Sequence, residues 1–183
     1  MPDVNSHGHD ASGEHLVQFY ANDTFLINGI SDYIGSAIAA GDIGIVIATK
    51  PHLTALEEDL SRRGLLKPAQ SVNDVRYLAI EADTMLPRFM VDEMPDEALF
   101  MSVIGGIIAD VAARHQGQIR VFGEMVAILC GEQRDALRSE GKHAAAIQVE
   151  QCFNKLLKRQ RFSLLCGYPR KLAKRCARRS RSG

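Results

Sequence analysis

The residues able to do chemistry collect at the ends of a repeated pattern. From His15 to Thr49 the chain reads HLVQFYANDTFLINGISDYIGSAIAAGDIGIVIAT: a short apolar run, a polar turn, a long apolar-faced segment and a second apolar run. That order predicts a βαβ unit. The turn Ala21-Asn22-Asp23-Thr24 stands where a mononucleotide-binding protein carries its phosphate loop. A helix N-terminus there offers free N–H groups and a positive dipole end to an anion. This turn contains neither glycine nor lysine, and Lys50 and Lys67 do not complete GxxxxGK[ST] spacing. An Asp at a helix cap fills the anion position with its own charge, so simple capping by Asn22 or Asp23 is preferred to a polyphosphate site. ATP hydrolysis is not expected.

Other polar residues punctuate the ends of the remaining apolar runs. Thr49, Lys50 and His52 follow the second, Glu81 and Asp83 the third, Glu124 the fourth, and Tyr168 closes the fifth. Ligands of open parallel sheets bind outside the carboxyl ends of the strands. The candidate ligand-binding set at that edge is therefore Tyr20, Asn22, Asp23, Thr24, Thr49, Glu81, Glu124 and Tyr168. Glu124, directly after a strand and Gly123, has two readings that stay open. It either pairs with Lys50 or accepts a ligand hydroxyl, or it is a first-turn acid favourable to a helix dipole. His15 begins its strand and belongs at the opposite edge, where a structural histidine donating to a carbonyl is expected. No Ser/His/Asp or Cys/His set emerges. His7, His9 and Asp10 carry metal-ligand chemistry, but in a polar, aperiodic stretch a solvated tail is the expectation. No metal and no cofactor is expected.

The elements that must position these residues follow from periodicity. Leu16–Tyr20 reads as a first strand, too continuously apolar for a half-exposed edge. In the helix after it, Leu26, Ile30, Ile34 and Ile38, with Phe25, Ile27 and Ala37, predict a broad buried stripe ending at Gly41. Ile43–Ala48 predicts a fully buried strand. A helix over His52–Arg63 closes at Gly64, with Pro51 near its first turn, and Leu65–Asn73 reads as a loop. Asp74–Ile80 is the third strand, Asp83–Val91 a short helix, and Leu99–Val111 the apolar face of a long one. Its Gly105-Gly106 pair implies close packing against the sheet. Ile119–Phe122 is the fourth strand, followed by helices over Val126–Ser139 and Lys142–Arg159 with a break at Gly141. Phe162–Tyr168 is the fifth strand, halted by Pro169. The fold class expected is α/β, a three-layer sandwich around a mainly parallel sheet of five strands.

Composition bounds the rest. The chain has 183 residues, 46% of them hydrophobic, which suits one domain with a sizeable core. Three parts are expected: a mobile leader over 1–14, a domain over 15–169 and a basic tail over 170–183. From Arg170 onward there are seven bases and no acid, while the body carries 15 bases and 19 acids. Only the tail gives an electrostatic reason to bind nucleic acid or an anionic membrane, through Arg170, Lys171, Lys174, Arg175, Arg178 and Arg179. A disordered, solubilising extension is the preferred reading of that tail. Cys130, Cys152, Cys166 and Cys176 form no CxxC pair and read as small apolar residues in a reducing compartment. No apolar run reaches membrane-spanning length and the leader lacks signal-peptide order, so a cytoplasmic location is expected.

Four blocks, HLVQFY, LEEDLSRRG, IRVFGEMVAIL and FSLLCGYP, together resemble the MEDS domain, a sensory module of methanogen and methylotroph regulators. The resemblance spans about His15 to Pro169. It implies a fold related to RecA/KaiC-like ATPases that have lost the phosphate loop, and a non-enzymatic role in sensing small organic ligands. The signal then passes to a separate partner such as a kinase or transcription regulator, and a homo-oligomer is compatible with RecA-like relatives. It directs weight to His15, Phe19, Tyr20, Gly123 and Glu124. The chain departs from the family pattern in having no tryptophan, with Cys130 and Phe153 standing in, and Glu81 in place of an Asp. No output domain accompanies the module, so a stand-alone form is expected. A nucleotide-binding switch or weak NTPase, and a nucleic-acid-associated regulator working through the tail, are the alternatives.

Overall fold

Apolar runs of five or six residues flanked by turn formers become strands, and the longer periodic segments become helices. The computed structural model describes residues 13–66, 75–131 and 136–170. The order is β1 (His15–Tyr20), α1 (Asp23–Ala39), β2 (Ile43–Ala48), α2 (Lys50–Arg62), β3 (Tyr77–Glu81) and α3 (Ala82–Met85). A 3-10 turn over Leu86–Arg88 leads to β4 (Met90–Val91), β5 (Met94–Pro95) and α4 (Glu97–Arg114). Then come β6 (Ile119–Gly123), α5 (Met125–Leu129), α6 (Ala136–Leu157) and β7 (Ser163–Pro169). Five strands make one sheet in the order β1-β7-β6-β2-β3, every neighbouring pair parallel. The chain is thus α/β with a parallel five-stranded sheet and helices on both faces.

Side chains alternate across each strand and divide the core in two. Val46, Ala48, Phe122, Leu165 and Tyr20 pack on Leu26, Ile30 and Ile34 of α1 and Leu53, Leu56 and Leu60 of α2. On the other face Ile45, Ile47, Val121, Leu164 and Cys166 meet α3 to α6. There Phe89, Phe100 and Phe153 form a run of edge-on rings, with centroids 5.1 and 5.0 Å apart, that ties the 3-10 turn to α4 and α6. Asn22 caps α1 by accepting from the Phe25 N–H at 2.9 Å, and Asp96 caps α4 by accepting from Leu99 at 2.8 Å. Gly41 and Gly64 end α1 and α2 at φ of +85° and +71°.

Several expectations are corrected. β1 is an edge strand, and Leu16, Val17 and Phe19 are 40%, 47% and 50% exposed. Its continuous apolar character cannot reveal that β7, last in sequence, inserts between it and β6. Phe25 leaves the α1 stripe and is exposed. The helix expected over Asp83–Val91 is instead α3, the 3-10 turn and β4, because Pro87 sits in that turn and the chain then reverses. Asp92 and Glu93, at φ of 48° and 64°, form the two-residue link of a β4–β5 hairpin. α5 stops at Leu129, whereas α6 runs through Gly141, where a break was expected. A single helical glycine costs only about 1 kcal/mol, which packing of the rest of α6 outweighs. Gly105 faces Leu156 of α6 rather than the sheet, and Gly106 faces open space. His7, His9, Asp10, Lys67, Asp74, Lys171, Lys174, Arg175, Cys176, Arg178 and Arg179 lie outside the described residues.

Two glycines should respond with opposite sign to the same substitution. A Cβ on Gly44 of β2 would lie 2.5 Å from Cγ2 of fully buried Ile34, so Gly44→Ala should destabilise the fold by about 1–3 kcal/mol. Gly106→Ala meets nothing and should stabilise it by up to about 1 kcal/mol. Urea denaturation of both variants measures the pair; equal effects would contradict the packing of α1 on β2.

Candidate functional site

α2 leaves β2 toward one face of the sheet, while α5 and α6 leave the adjacent strand β6 toward the other. Helices that diverge in this way make the carboxyl ends of β2 and β6 a topological switch point, the crevice position where open α/β sheets receive ligands. Register sets what meets there. Ile47 pairs with Gly123, and the Glu124 N–H continues the ladder by donating to Ile47 O at 2.9 Å. Glu124 is thereby delivered opposite Thr49, the residue that begins α2.

The Glu124 side chain is 3% exposed. Its Oε2 accepts from the Thr49 N–H at 3.0 Å and from Thr49 Oγ1 at 3.3 Å, and its Oε1 accepts from His52 Nδ1 at 2.7 Å. Thr49 makes no side-chain cap of its own for α2. The Glu124 carboxylate, reaching over from β6, supplies the negative charge that the start of α2 favours. His52 Nε2 faces Asp23 Oδ1 at 3.5 Å, so the imidazole lies between a buried carboxylate and an exposed one. Hydrogen bonding to Glu124 raises the His52 pKa, against a smaller opposing effect of burial. Beside them, burial pushes the buried Tyr20 hydroxyl far above its ordinary value, and the charges of Glu124 and Asp23 add to this.

The sequence candidates separate into two clusters. Tyr20, Asp23, Thr49 and Glu124 gather at the crevice. Asn22 serves as the α1 cap, with Thr24 exposed in the first turn. Glu81 and Lys50 form an exposed pair at 3.8 Å beside it, so Lys50 is not the partner of Glu124. His15, Phe19 and Tyr168 lie elsewhere, on the α6 side of the β1 edge. Phe19 stacks against Tyr168 with ring centroids 5.8 Å apart, and Tyr168 Oη donates to Glu150 Oε1 at 2.5 Å. His15 Nδ1 contacts Asn154 Oδ1 at 2.8 Å and its Nε2 lies 3.1 Å from Glu150 Oε2, so it sits at the opposite edge, as its place in β1 requires. Burial raises the Glu150 pKa, but the His15 ring facing it and the hydrogen bond from Tyr168 outweigh this and hold the carboxyl below its usual range. Arg170 is exposed beyond β7.

Sequence reasoning left His52 and Glu150 out of the site. His52 stands three residues beyond Thr49, one turn into a helix whose start is fixed by Pro51. Glu150 lies four residues after Ala146 and three before Phe153, an acid on the inward stripe of α6. That placement was the signal available for it. Two surface clefts open away from the crevice. One of about 760 Å³ is lined by Gly13, His15, Asn154 and Leu157, and one of about 270 Å³ lies between Leu78, Ile107 and Val111. Chemically, the crevice is an acceptor-rich site: two carboxylates flank one imidazole, which is held as a donor.

One family model matches residues 14–178, described as MEDS: MEthanogen/methylotroph, DcmR Sensory domain. Nothing matches among curated proteins or solved structures. Among the described residues no helix is long and apolar enough to cross a membrane.

A raised folded-state pKa for His52 contributes stability that is fully present below about pH 6.5 and is lost as pH rises through the folded value. The wild type should therefore lose melting temperature between about pH 6 and 8. His52→Gln should flatten part of that slope, and the raised pKa of His15 should keep the remainder. An unchanged slope in His52→Gln would contradict the His52–Glu124 pairing.

Proposed function

The chain belongs to the MEDS family, named for a sensory domain, and from that premise we propose that it is a ligand-sensing regulatory domain whose site is the crevice of Thr49, His52 and Glu124. The observation that carries this reading is the buried Glu124 carboxylate at the start of α2. In a phosphate-binding protein that position receives the anion. Here the protein supplies the anion itself, and at α1 the neutral Asn22 cap and the Asp23 carboxylate occupy the corresponding place. This supports a RecA/KaiC-like scaffold whose phosphate loop has lost its gripping residues. The ligand class follows from the electrostatics: a small organic molecule, neutral or cationic, that donates through a hydroxyl or amine.

The imidazole between two carboxylates supports a role without turnover. The pKa of His52 is raised by its hydrogen bond to Glu124, which favours the protonated ring over the neutral one a general base needs. A ligand donor competes most readily with Thr49 Oγ1, the longest of the three contacts to Glu124 at 3.3 Å. Displacing it loosens the first turn of α2, which is the change a separate kinase or transcription regulator would read.

Thermal melts with a panel of one- to three-carbon alcohols and amines, and with ATP and magnesium, test this. At about one hundred times Kd a true ligand adds about 2.7 kcal/mol, or roughly 5–10 °C. A saturable rise with at least one panel member, lost in Glu124→Gln, is expected. No rise from any panel member, a rise that persists unchanged in Glu124→Gln, or release of phosphate from ATP overturns the reading.

A further inference from the structure

A second polar cluster, unrelated to the crevice, lies between β1, β7 and α6. Nε2 of His15, a carboxylate oxygen of Glu150 and Sγ of Cys166 all lie within 4.8 Å of one another. They come from three elements: the start of β1, the middle of α6 and the middle of β7. β1 and β7 pair in parallel with Val17 opposite Cys166, which fixes the first strand against the third ligand's strand. Cys166 is fully buried, and the side chains of His15 and Glu150 are 18% and 19% exposed. His, carboxylate and thiolate are the donors of borderline-soft divalent ions such as zinc.

The surrounding groups hold each donor as a metal site needs it. His15 Nδ1 lies 2.8 Å from Asn154 Oδ1, and in the neutral ring with Nδ1 as donor the Nε2 lone pair points inward. Nε2 is out of solvent and makes no well-aimed hydrogen bond, with the Glu150 oxygen 3.1 Å away. Two lone pairs cannot face each other at that distance, so a proton or a metal ion must lie between them. Tyr168 Oη donates to the other Glu150 oxygen, orienting the carboxylate. One carboxylate and one thiolate balance a dication, leaving a half-buried site with no net charge. Three protein ligands leave a fourth tetrahedral position, and one of the three, His15, also borders the cleft of about 760 Å³.

We propose that His15, Glu150 and Cys166 form a three-ligand site for a divalent cation of the zinc type, with its fourth position open. Cysteine loses its thiol proton on binding and becomes the thiolate ligand, and that proton passes to solvent.

Cobalt(II) is the probe, because a cobalt–thiolate bond gives a near-ultraviolet charge-transfer band that zinc then abolishes by displacement. The full chain, stripped with chelator, should bind one cobalt per chain with that band and a higher melting temperature. Cys166→Ser should remove the band, and His15→Gln and Glu150→Gln should each weaken binding at least tenfold. Circular dichroism shows which variants remain folded; if Cys166→Ser does not, the two Gln variants decide. The proposal is overturned by binding below a tenth of an equivalent. It is equally overturned if the band survives in Cys166→Ser but vanishes in Cys176→Ser, or if binding is lost on replacing His7 and His9 and not His15.

Discussion

A buried carboxylate must be satisfied on both oxygens, and the arrangement of this fold around its crevice meets that demand at Glu124. Leaving such a charge without partners costs several kcal/mol, more than most single contacts return. Its donors are the Thr49 N–H, the Thr49 hydroxyl and the His52 ring. All belong to the start of α2, while the acid belongs to β6, so the contact exists only if β2 and β6 are neighbours in the observed register. The polar contact thus fixes what the apolar core leaves loose. A slide of two residues would keep Ile45 and Val121 on the same face of the sheet, but would carry Glu124 away from Thr49 and His52.

The sheet and its helices were legible because the signals were redundant. For β2, Ile43–Ala48 has matching bounds in sequence and structure, since a six-residue run without a polar residue fits only a strand covered on both faces. The β1 edge was not legible: strand order depends on where the last crossover lands, and no local property of HLVQFY records that β7 separates it from β6. The failures around Asp83–Val91 and Gly141 have the opposite origin. In the first, turn chemistry at Pro87 and Asp92-Glu93 overrode periodicity; in the second, packing overrode a local helix breaker.

Residue type and position after a strand were enough to place Glu124 and Thr49 at one edge of the sheet, but not to give their relation. The expected partner, Lys50, is adjacent in sequence to the actual one, yet the first turn of a helix points successive side chains about 100° apart. Lys50 therefore swings to exposed Glu81, and His52 turns inward. His15 shows the complementary case. Its position at the far edge was readable from its place at the head of β1. The acid facing it, 135 residues later on α6, was not. Such pairs are made by tertiary packing and leave only the faint mark of a charge on an apolar stripe.

On the proposed reading, the Glu124 cluster discriminates between ligands by the sign of their charge. A phosphate oxygen brought within 4 Å of Glu124 meets about 4 kcal/mol of repulsion per unit charge at an effective dielectric of 20. The positive end of α2 returns at most about 2 kcal/mol, and Glu124 already draws on that. A protonated His52 offsets the nearer charge, and exposed Asp23 on its far side restores a net negative charge to the cluster. An ammonium or a hydroxyl reverses the sign, because each donates to the oxygens that a phosphate would oppose. On that reading, one acid placed one residue after a strand turns a sheet edge suited to anions into one suited to donors.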